Sequence, residues 1–430
     1  MKRQILQKFI EWKESPNRKP LILKGARQVG KTWLMQEFAR QSYAKSIYIN
    51  FEDNEPCKRL FDMDFDIQRI IQGLQIATGT VIDQDTLILF DEIQEAPRAL
   101  TSLKYFYEKA PQYHIIAAGS LLGVAMHSGT SFPVGKVDFL NVHPMNFVEF
   151  LEATGQSPIA QIIQDSKFDL ISVFADKITD LLKKYYFIGG MPEAVRTFVE
   201  TTDLQQVVKV QQNILESYDK DFSKHAPNSE VPRLRLVWNS IPAQLSKENK
   251  KFIFGMLKEG ARSKSYEVAL EWLRDAGLIT KVHRVKKADF PLSAYEDFSA
   301  FKIFMVDIGL LCAMSHVPAE IILNGSKIFE EFRGALAEQY VFQQLKATEQ
   351  CQIFYWSAEN SSGELDFLVQ KDSVIIPIEV KAAENLQSKS LSCFVKKHEG
   401  LKGVRYSLSN YREQDWMINY PLATCGNIKP

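Results

Sequence analysis

A glycine-rich stretch near the start of the chain, residues 25–32, has the sequence Gly-Ala-Arg-Gln-Val-Gly-Lys-Thr. The spacing GxxxxGK[ST] is that of a loop whose backbone N–H groups surround phosphate oxygens. An apolar strand at 21–24 precedes it, and a helix predicted at 33–40 follows with its positive dipole end towards the loop. Lys31 is expected to contact the β and γ phosphates and the Thr32 hydroxyl to bind Mg²⁺. The predicted nucleotide-binding residues of this stretch are Gly25, Ala26, Arg27, Gln28, Val29, Gly30, Lys31, Thr32 and Trp33.

A second chemical element is the apolar strand at 86–90, which ends in Asp91 and Glu92. Asp91 stands where a second Mg²⁺ ligand is required, and Glu92 is suited to polarise an attacking water. The pair follows the glycine-rich loop by about sixty positions, a spacing that favours one shared nucleotide site. Ser120, at the end of the next predicted strand, either senses the γ-phosphate or simply belongs to a turn after Gly119.

A carboxylate and lysine cluster is predicted in the last hundred residues. Glu379 and Lys381 point to one face of an extended strand, and a hairpin would bring Asp366 alongside them. Glu338, on the preceding helix, supplies a further acid. Asp366, Glu379 and Glu338 are candidate ligands for a divalent metal, and Lys381 is a candidate to orient a water for attack on a phosphodiester. The alternative is an ion pair at the edge of a hairpin.

Basic residues concentrate in the segment that follows the helix ending near Gly277. Lys281, His283, Arg284, Lys286 and Lys287 lie close together, and the segment before them contributes Lys247, Lys250, Lys251, Arg262 and Lys264. Such a group can contact the phosphates of DNA. The alternative is a solvated face whose charges are balanced by nearby acids.

Composition excludes several classes of protein. The chain has 430 residues, 52 basic and 52 acidic, so its whole surface is not a polycation. Five scattered cysteines form no CxxC pair, which argues against a zinc site or a disulfide framework. No apolar run approaches the roughly 20 residues that span a bilayer, and the first residues lack the pattern of a signal peptide. We therefore expect a soluble, cytoplasmic protein with no membrane partner.

The elements that must position these residues suggest four segments. Strands predicted at 21–24, 46–51, 86–90, 114–118 and 137–143 alternate with helices, which indicates an α/β domain with a parallel sheet over residues 1–156. Helical periodicity predicts a lid at 157–231. A helix, a glycine and a basic strand resemble a winged-helix domain at 232–320. A helix followed by strands at 321–430 predicts a mixed α/β domain carrying the C-terminal cluster.

These motifs resemble those of prokaryotic AAA-type ATPases in which a P-loop domain is fused to a C-terminal restriction-endonuclease-like domain. The resemblance covers nearly the whole chain, through GARQVGKT, LILFDEIQ, AAGSLL, VHPMNFVEF, GGMPEAV, FMVDIGLL, GELDFLV and IPIEVKA. It implies an AAA-like core, a helical lid, a winged helix and a PD-(D/E)xK-type domain, with ATP and Mg²⁺ held by Lys31, Thr32 and Asp91 and with Glu92 as base. It also implies that Glu338, Asp366, Glu379 and Lys381 occupy the nuclease-motif positions. Ala26 stands where relatives often have proline, and Lys136 where they often have arginine.

Two functions follow as hypotheses. The first is an ATPase coupled to DNA binding, with metal-dependent phosphodiester cleavage by the C-terminal domain. The second is an ATP-operated switch whose C-terminal domain only binds a partner. An arginine finger is not assigned by the sequence, which offers Arg27, Arg98 and Arg196 as candidates, and an oligomeric state is left open.

Overall fold

The computed structural model describes residues 1–120, 122–125, 132–247, 250–324, 330–358, 363–382 and 388–426. The chain divides into two compact units. The first unit comprises Arg3–His143 together with Asp275–Leu278, and the second unit comprises Met1–Lys2, Pro144–Arg274 and Ile279–Pro430. The division into four domains stays a prediction.

A five-stranded sheet forms the centre of the first unit. Its strands are β1 (Leu21–Lys24), β2 (Lys45–Asn50), β3 (Thr86–Asp91), β4 (His114–Ala118) and β5 (Asp138–Asn141). They lie in the order β2–β3–β4–β1–β5, and all neighbouring pairs are parallel. The predicted parallel α/β sheet is confirmed, although β5 is shorter than the predicted 137–143.

Helices pack on this sheet and explain why its central strands are apolar. They are α1 (Leu6–Glu14), α2 (Lys31–Ser42), α3 (Glu55–Met63), α4 (Ile67–Thr78), α5 (Pro97–Lys109) and the short α6 (Leu122–Ala125). Every residue of β3 is buried, because a parallel strand with both faces covered has no solvent side. Asp91 is the last residue of β3, and β3 runs in the same direction as β1. Asp91 therefore lies at the carboxyl edge of the sheet, at the same end as the loop that follows β1.

The second unit is helical over its first part. Its helices before the strands are α7 (Phe147–Ala153), α8 (Ser157–Gln164), α9 (Phe168–Val173), α10 (Ala175–Ile188), α11 (Pro192–Thr201), α12 (Leu204–His225), α13 (Val231–Leu245) and α14 (Glu267–Asp275). The predicted helical region is thus made of several short helices and one long one, α12. Later helices are α15 (Ile308–Met314), α16 (Ala319–Asn324), α17 (Glu330–Thr348) and α18 (Lys389–Lys397).

The strands described in the second unit form one eight-stranded sheet. They are β6 (Ile279–Val285), β7 (Glu296–Met305), β8 (Gln352–Ser357), β9 (Glu364–Lys371), β10 (Val374–Val380), β11 (Gly403–Ser407), β12 (Arg412–Glu413) and β13 (Met417–Pro421), in the order β12–β13–β11–β10–β9–β8–β6–β7. β6 pairs in parallel with β8, so the basic strand predicted within a winged-helix domain continues the sheet that carries the C-terminal cluster. Over the ranges that the structure covers, no helix combines the length and apolar character needed to cross a bilayer.

Candidate functional site

The loop between β1 and α2 has the backbone that its glycines allow. Gly25 has φ 148°, and a Cβ on it would lie 2.3 Å from the carbonyl oxygen of Val142. Gly30, which caps the start of α2, has φ 94°. Both conformations are strained for residues with a side chain, so these two glycines are required by the path of the loop.

Lys31 and Thr32 begin α2 and lie at the edge where β3 ends. The Lys31 ammonium donates to the carbonyl oxygens of Gly25 (2.9 Å) and Ala26 (2.8 Å). The Thr32 hydroxyl donates to Asp91 Oδ2 at 2.6 Å, across 59 positions of sequence. Burial lowers the pKa of Lys31 to about 8, with Glu92 and Asp91 opposing that effect. A bound phosphate would provide oxygens in place of the two carbonyls.

Glu92 is held beside the end of β4. Its Oε2 accepts hydrogen bonds from Gln94 Nε2 (2.6 Å), Ser120 Oγ (3.0 Å) and the Ser120 backbone N–H (3.3 Å). Burial would raise the pKa of Glu92, but the hydrogen bonds from Gln94 and Ser120 bring it below its usual value. The carboxylate is therefore ionised at neutral pH, as a proton acceptor must be. Ser120 contacts the carboxylate of Glu92. This contact could not be predicted from the position of Ser120 at the end of a strand.

Three further residues around this loop were missed by sequence reasoning. Tyr48, on β2, donates its hydroxyl proton to Asp91 Oδ2 at 2.9 Å. Arg3 is 7% exposed and donates to the carbonyl oxygens of Val29 (3.2 Å) and His143 (2.7 Å). These hydrogen bonds connect the loop to the residue that precedes the second unit. Gly277 has φ 75°, and a Cβ on it would lie 3.0 Å from the backbone N of Ala26. The one feature of the sequence that indicated a left-handed backbone conformation at Gly277 is the helix-stop pattern Ala276-Gly277.

The C-terminal cluster is brought together in the second unit. β9 and β10 are antiparallel, and the backbone N–H of Val380 donates to Asp366 Oδ2 at 2.7 Å. Lys381 Nζ lies 2.9 Å from Glu379 Oε1. Glu338, on α17, is joined to the Asp366 side chain by a hydrogen bond. The four residues predicted to cooperate are therefore neighbours, and their chemical roles stay predictions.

Two lysines that the sequence analysis did not assign to this cluster lie inside it. Lys302, on β7, is 0% exposed, forms an ion pair with Glu364 and has its Nζ 3.9 Å from Glu338 Oε2. Lys250 is buried and forms an ion pair with Glu338 Oε1. Within the described ranges, no group of three or more His, Cys, Asp or Glu side chains has an arrangement that could hold a metal ion.

The electrostatics of the cluster follow from these lysines. Burial would lower the pKa of Lys302, but Glu338, Glu364 and Asp366 outweigh it and raise the pKa of the ammonium. Burial would raise the pKa of Glu338, yet Lys250 and Lys302 lower it. Burial, followed by the charge of Glu338, raises the pKa of Asp366 to about 8. The raised pKa favours the protonated form of Asp366, which donates its hydrogen bond to the Glu338 carboxylate.

Of the five basic residues predicted to cluster at 281–287, four lie beside acids. Arg284 donates to Asp297 from Nε (3.1 Å) and Nη2 (2.5 Å). Ion pairs also join Lys281 to Glu271 and Lys287 to Asp289, and His283 Nδ1 lies within hydrogen-bond distance of Glu296 Oε1. The charge that a nucleic-acid backbone would meet here is therefore smaller than the count of basic residues indicates.

Comparison with known families gives matches over three ranges of the chain. Residues 17–151 match the model of an AAA domain. The matched range contains the loop 25–32, Asp91, Glu92 and Ser120, so the predicted nucleotide site lies within the range that matches the AAA model. Residues 179–320 match "Domain of unknown function (DUF8612)", and residues 333–424 match "Domain of unknown function (DUF4143)".

Individual relatives are distant. Over 424 residues the chain is 22% identical to the uncharacterized protein MJ1544 of Methanocaldococcus jannaschii, covering 96% of this chain and 86% of that protein. Among solved structures, it is similar to the Walker-type ATPase PABY2304 of Pyrococcus abyssi, with a TM-score of 0.44 and 15% identity over 73% of this chain and 95% of that one. It is also similar to the Orc1 protein of Aeropyrum pernix in complex with DNA, with a TM-score of 0.27 and 14% identity over 73% and 91% of the two chains.

The range that matches the AAA model has residues that fit ATP and Mg²⁺. Lys31 is 7% exposed at the mouth of the loop, and Asp91 and Thr32 present oxygens within hydrogen-bond distance of each other. Hydroxyl and carboxylate oxygens are the ligands that Mg²⁺ prefers. Trp33 is 40% exposed at the first turn of α2. Of the arginine-finger candidates, Arg98 donates to the Phe61 carbonyl oxygen and packs over the Phe65 ring, while Arg196 is exposed on α11.

Proposed function

We propose that the chain binds ATP with Mg²⁺ at the loop 25–32 and hydrolyses it. The observation that carries this proposal is the 2.6 Å hydrogen bond from Thr32 to Asp91, which joins the end of the glycine-rich loop to the acidic strand. In this proposal Lys31 and the loop N–H groups bind the triphosphate, and Thr32 and Asp91 hold the metal, whose charge offsets that of the phosphates.

Glu92 acts on water in this proposal. Its carboxylate, ionised and held by Ser120 and Gln94, accepts a proton from the water that attacks the γ-phosphate, and ADP and phosphate leave. Three hydrogen-bond donors from these two residues fix the side chain, so the carboxylate keeps a constant direction. Ser120 therefore serves as a positioning residue for Glu92.

Two substitutions test the ATPase proposal. Lys31→Ala removes the cation at the phosphates and is expected to abolish ATP binding, measured by calorimetry. Glu92→Gln keeps the shape but not the base, so it should retain ATP binding while phosphate release falls by roughly 10²–10⁴-fold. Lys45→Ala, which removes an exposed lysine paired with Asp83, is the matched control and should leave both properties unchanged. Normal turnover in Lys31→Ala would refute the assignment.

A second candidate function concerns the rest of the chain. The ATP-operated switch with a non-catalytic C-terminal module is favoured by the lysines that already pair with Glu338 and Glu364. DNA binding and phosphodiester cleavage through Asp366, Glu379 and Lys381 remain the competing proposal. Incubation of supercoiled plasmid with the protein, ATP and either Mg²⁺ or Mn²⁺ separates the two. The switch predicts no nicking, whereas cleavage predicts nicking that Asp366→Ala abolishes.

A further inference from the structure

Glu338 on α17 and Glu364 at the start of β9 face lysines from two other parts of the second unit. Both carboxylate oxygens of Glu338 are near ammonium groups: Oε1 pairs with Lys250, and Oε2 lies 3.9 Å from Nζ of Lys302. Lys302 also pairs with Glu364 at the start of β9. A divalent ion bound to Glu338 would have to lie beside two positive charges, which repel it strongly in a buried environment.

Burial makes these lysines permanent members of the cluster. Lys302 is 0% exposed on a central segment of β7, and Lys250 is 8% exposed. A buried ammonium without its carboxylates would be very costly, so neither side chain has a favourable alternative in the folded unit. The ring of Tyr355, 4.9 Å from Lys302 Nζ, adds a further contact that holds this ammonium in position.

The acidic and basic side chains of the cluster nearly cancel each other's charge without a metal ion. Four carboxyl groups, those of Glu338, Glu364, Asp366 and Glu379, are accompanied by three ammonium groups, those of Lys250, Lys302 and Lys381. The cluster is therefore close to neutral, and a divalent ion would give it an excess of positive charge. We infer that Lys250 and Lys302 are the resident cations of this site and that they take the place of the divalent metal implied by its nuclease-like motif.

This inference goes beyond the proposed ATPase and does not depend on it. In this inference the cluster has a structural role, because its ion pairs connect β7, α17 and β9. The C-terminal sheet then requires no metal to fold or to bind a partner. Lys381, whose Nζ lies 2.9 Å from Glu379 Oε1, is part of the same charge balance.

Manganese binding by the full-length protein tests the inference, with Mn²⁺ alone as the probe and no nucleotide present. The loss of the free-ion EPR signal counts the bound Mn²⁺ in the unmodified protein and in Asp366→Asn. We expect the two titrations to coincide. A site in the unmodified protein that Asp366→Asn weakens tenfold or more would overturn the inference.

A gain of binding provides the second arm. Lys250→Met combined with Lys302→Met removes both cations and should create one Mn²⁺ site per chain, which a further Asp366→Asn change removes. Lys402→Met and Lys287→Met, at exposed ion pairs with Glu413 and Asp289, are matched controls that should gain nothing. Failure of the folded double variant to gain a site, or equal gains in the controls, would contradict the assignment. Where the double variant does not fold, by far-UV circular dichroism, Lys250→Met alone and the first arm still decide.

Discussion

The backbone N–H of Gly190 donates a 2.7 Å hydrogen bond to Asp307 Oδ2, across 117 positions of sequence. Gln343 Nε2 donates to the same oxygen (3.0 Å), and the N–H of Leu310 donates to Oδ1 (3.1 Å). Met145 N–H in turn donates to the carbonyl oxygen of Gly190 at 2.7 Å. The motifs VHPMNFVEF, GGMPEAV and FMVDIGLL, which carry no evident chemistry, thus meet in one buried polar joint of the second unit.

Replacement of Gly190 by alanine should destabilise this joint. A Cβ on Gly190 would lie 2.0 Å from the carbonyl oxygen of Met145, so backbone must move and the hydrogen bond to Asp307 lengthens. We expect Gly190→Ala to lower the free energy of unfolding by about 1–3 kcal/mol, measured by urea denaturation. Gly255→Ala, at an exposed glycine with no atom within 4 Å of its Cβ, should change it by less than about 0.5 kcal/mol. Equal effects of the two substitutions would argue against the joint.

Gly277 provides a test of the loop from outside the matched AAA domain. Its added Cβ would press on the backbone N of Ala26, and this amide belongs to the loop proposed to bind phosphate. We expect Gly277→Ala to weaken ATP binding roughly fivefold or more, the equivalent of about 1 kcal/mol. The measurement is calorimetric titration with ATP and Mg²⁺.

The control for this prediction is Gly260→Ala. Gly260 has φ 72°, close to the 75° of Gly277, but no atom lies within 4 Å of its Cβ. Both substitutions therefore carry the same backbone strain, and only Gly277→Ala crowds the loop. Unchanged ATP affinity in Gly277→Ala would show that the approach to Ala26 is without consequence for the nucleotide.

Removal of the Ser120 hydroxyl should slow hydrolysis without affecting ATP binding. Ser120 Oγ donates to Glu92 Oε2 at 3.0 Å, so its loss frees the carboxylate to rotate and raises the pKa of Glu92. We expect Ser120→Ala to lower kcat roughly tenfold with little change in KM, and to shift the acid limb of the pH–rate profile upward. Ser102→Ala, which removes a hydroxyl bonded within α5, should leave both quantities unchanged. A proportional rise in KM would instead indicate a role in binding.

His114 should make the first unit sensitive to acid. Burial, with Arg18 and Lys13, lowers the pKa of His114 to about 4, and its Nδ1 lies 2.5 Å from the Tyr43 hydroxyl oxygen. The unfolded chain binds a proton at this residue near pH 6.5, whereas the folded chain does so only near pH 4. Stability is therefore lost as pH falls from about 6.5 to 4, and His114→Gln should reduce that loss. Parallel pH profiles of the urea midpoint for the two proteins would disprove this.

The nucleotide site was largely predictable because it is built from short segments. The glycines, Lys31 and Thr32 are contiguous, and Asp91 and Glu92 end an apolar strand, so local backbone rules and strand burial place them. The C-terminal cluster was predictable for a similar reason, since a hairpin joins β9 to β10. The helical stretch after residue 156 also follows from periodicity, because its apolar residues recur every three or four positions.

The sequence by itself thus determined the parallel sheet, the loop with its acidic strand, and the proximity of Asp366 to Glu379. Only the tertiary structure decided that Lys302 and Lys250 neutralise the C-terminal acids, that Gly277 touches the loop, and that Gly190 meets Asp307. The physical reason is that these contacts join segments dozens of positions apart or more. Local periodicity and spacing carry no information about which distant charge or backbone amide will pack against a given side chain. The partner of each buried group is determined when the whole unit folds, because burial of apolar surface requires every buried polar group to find a hydrogen-bond or ion-pair partner.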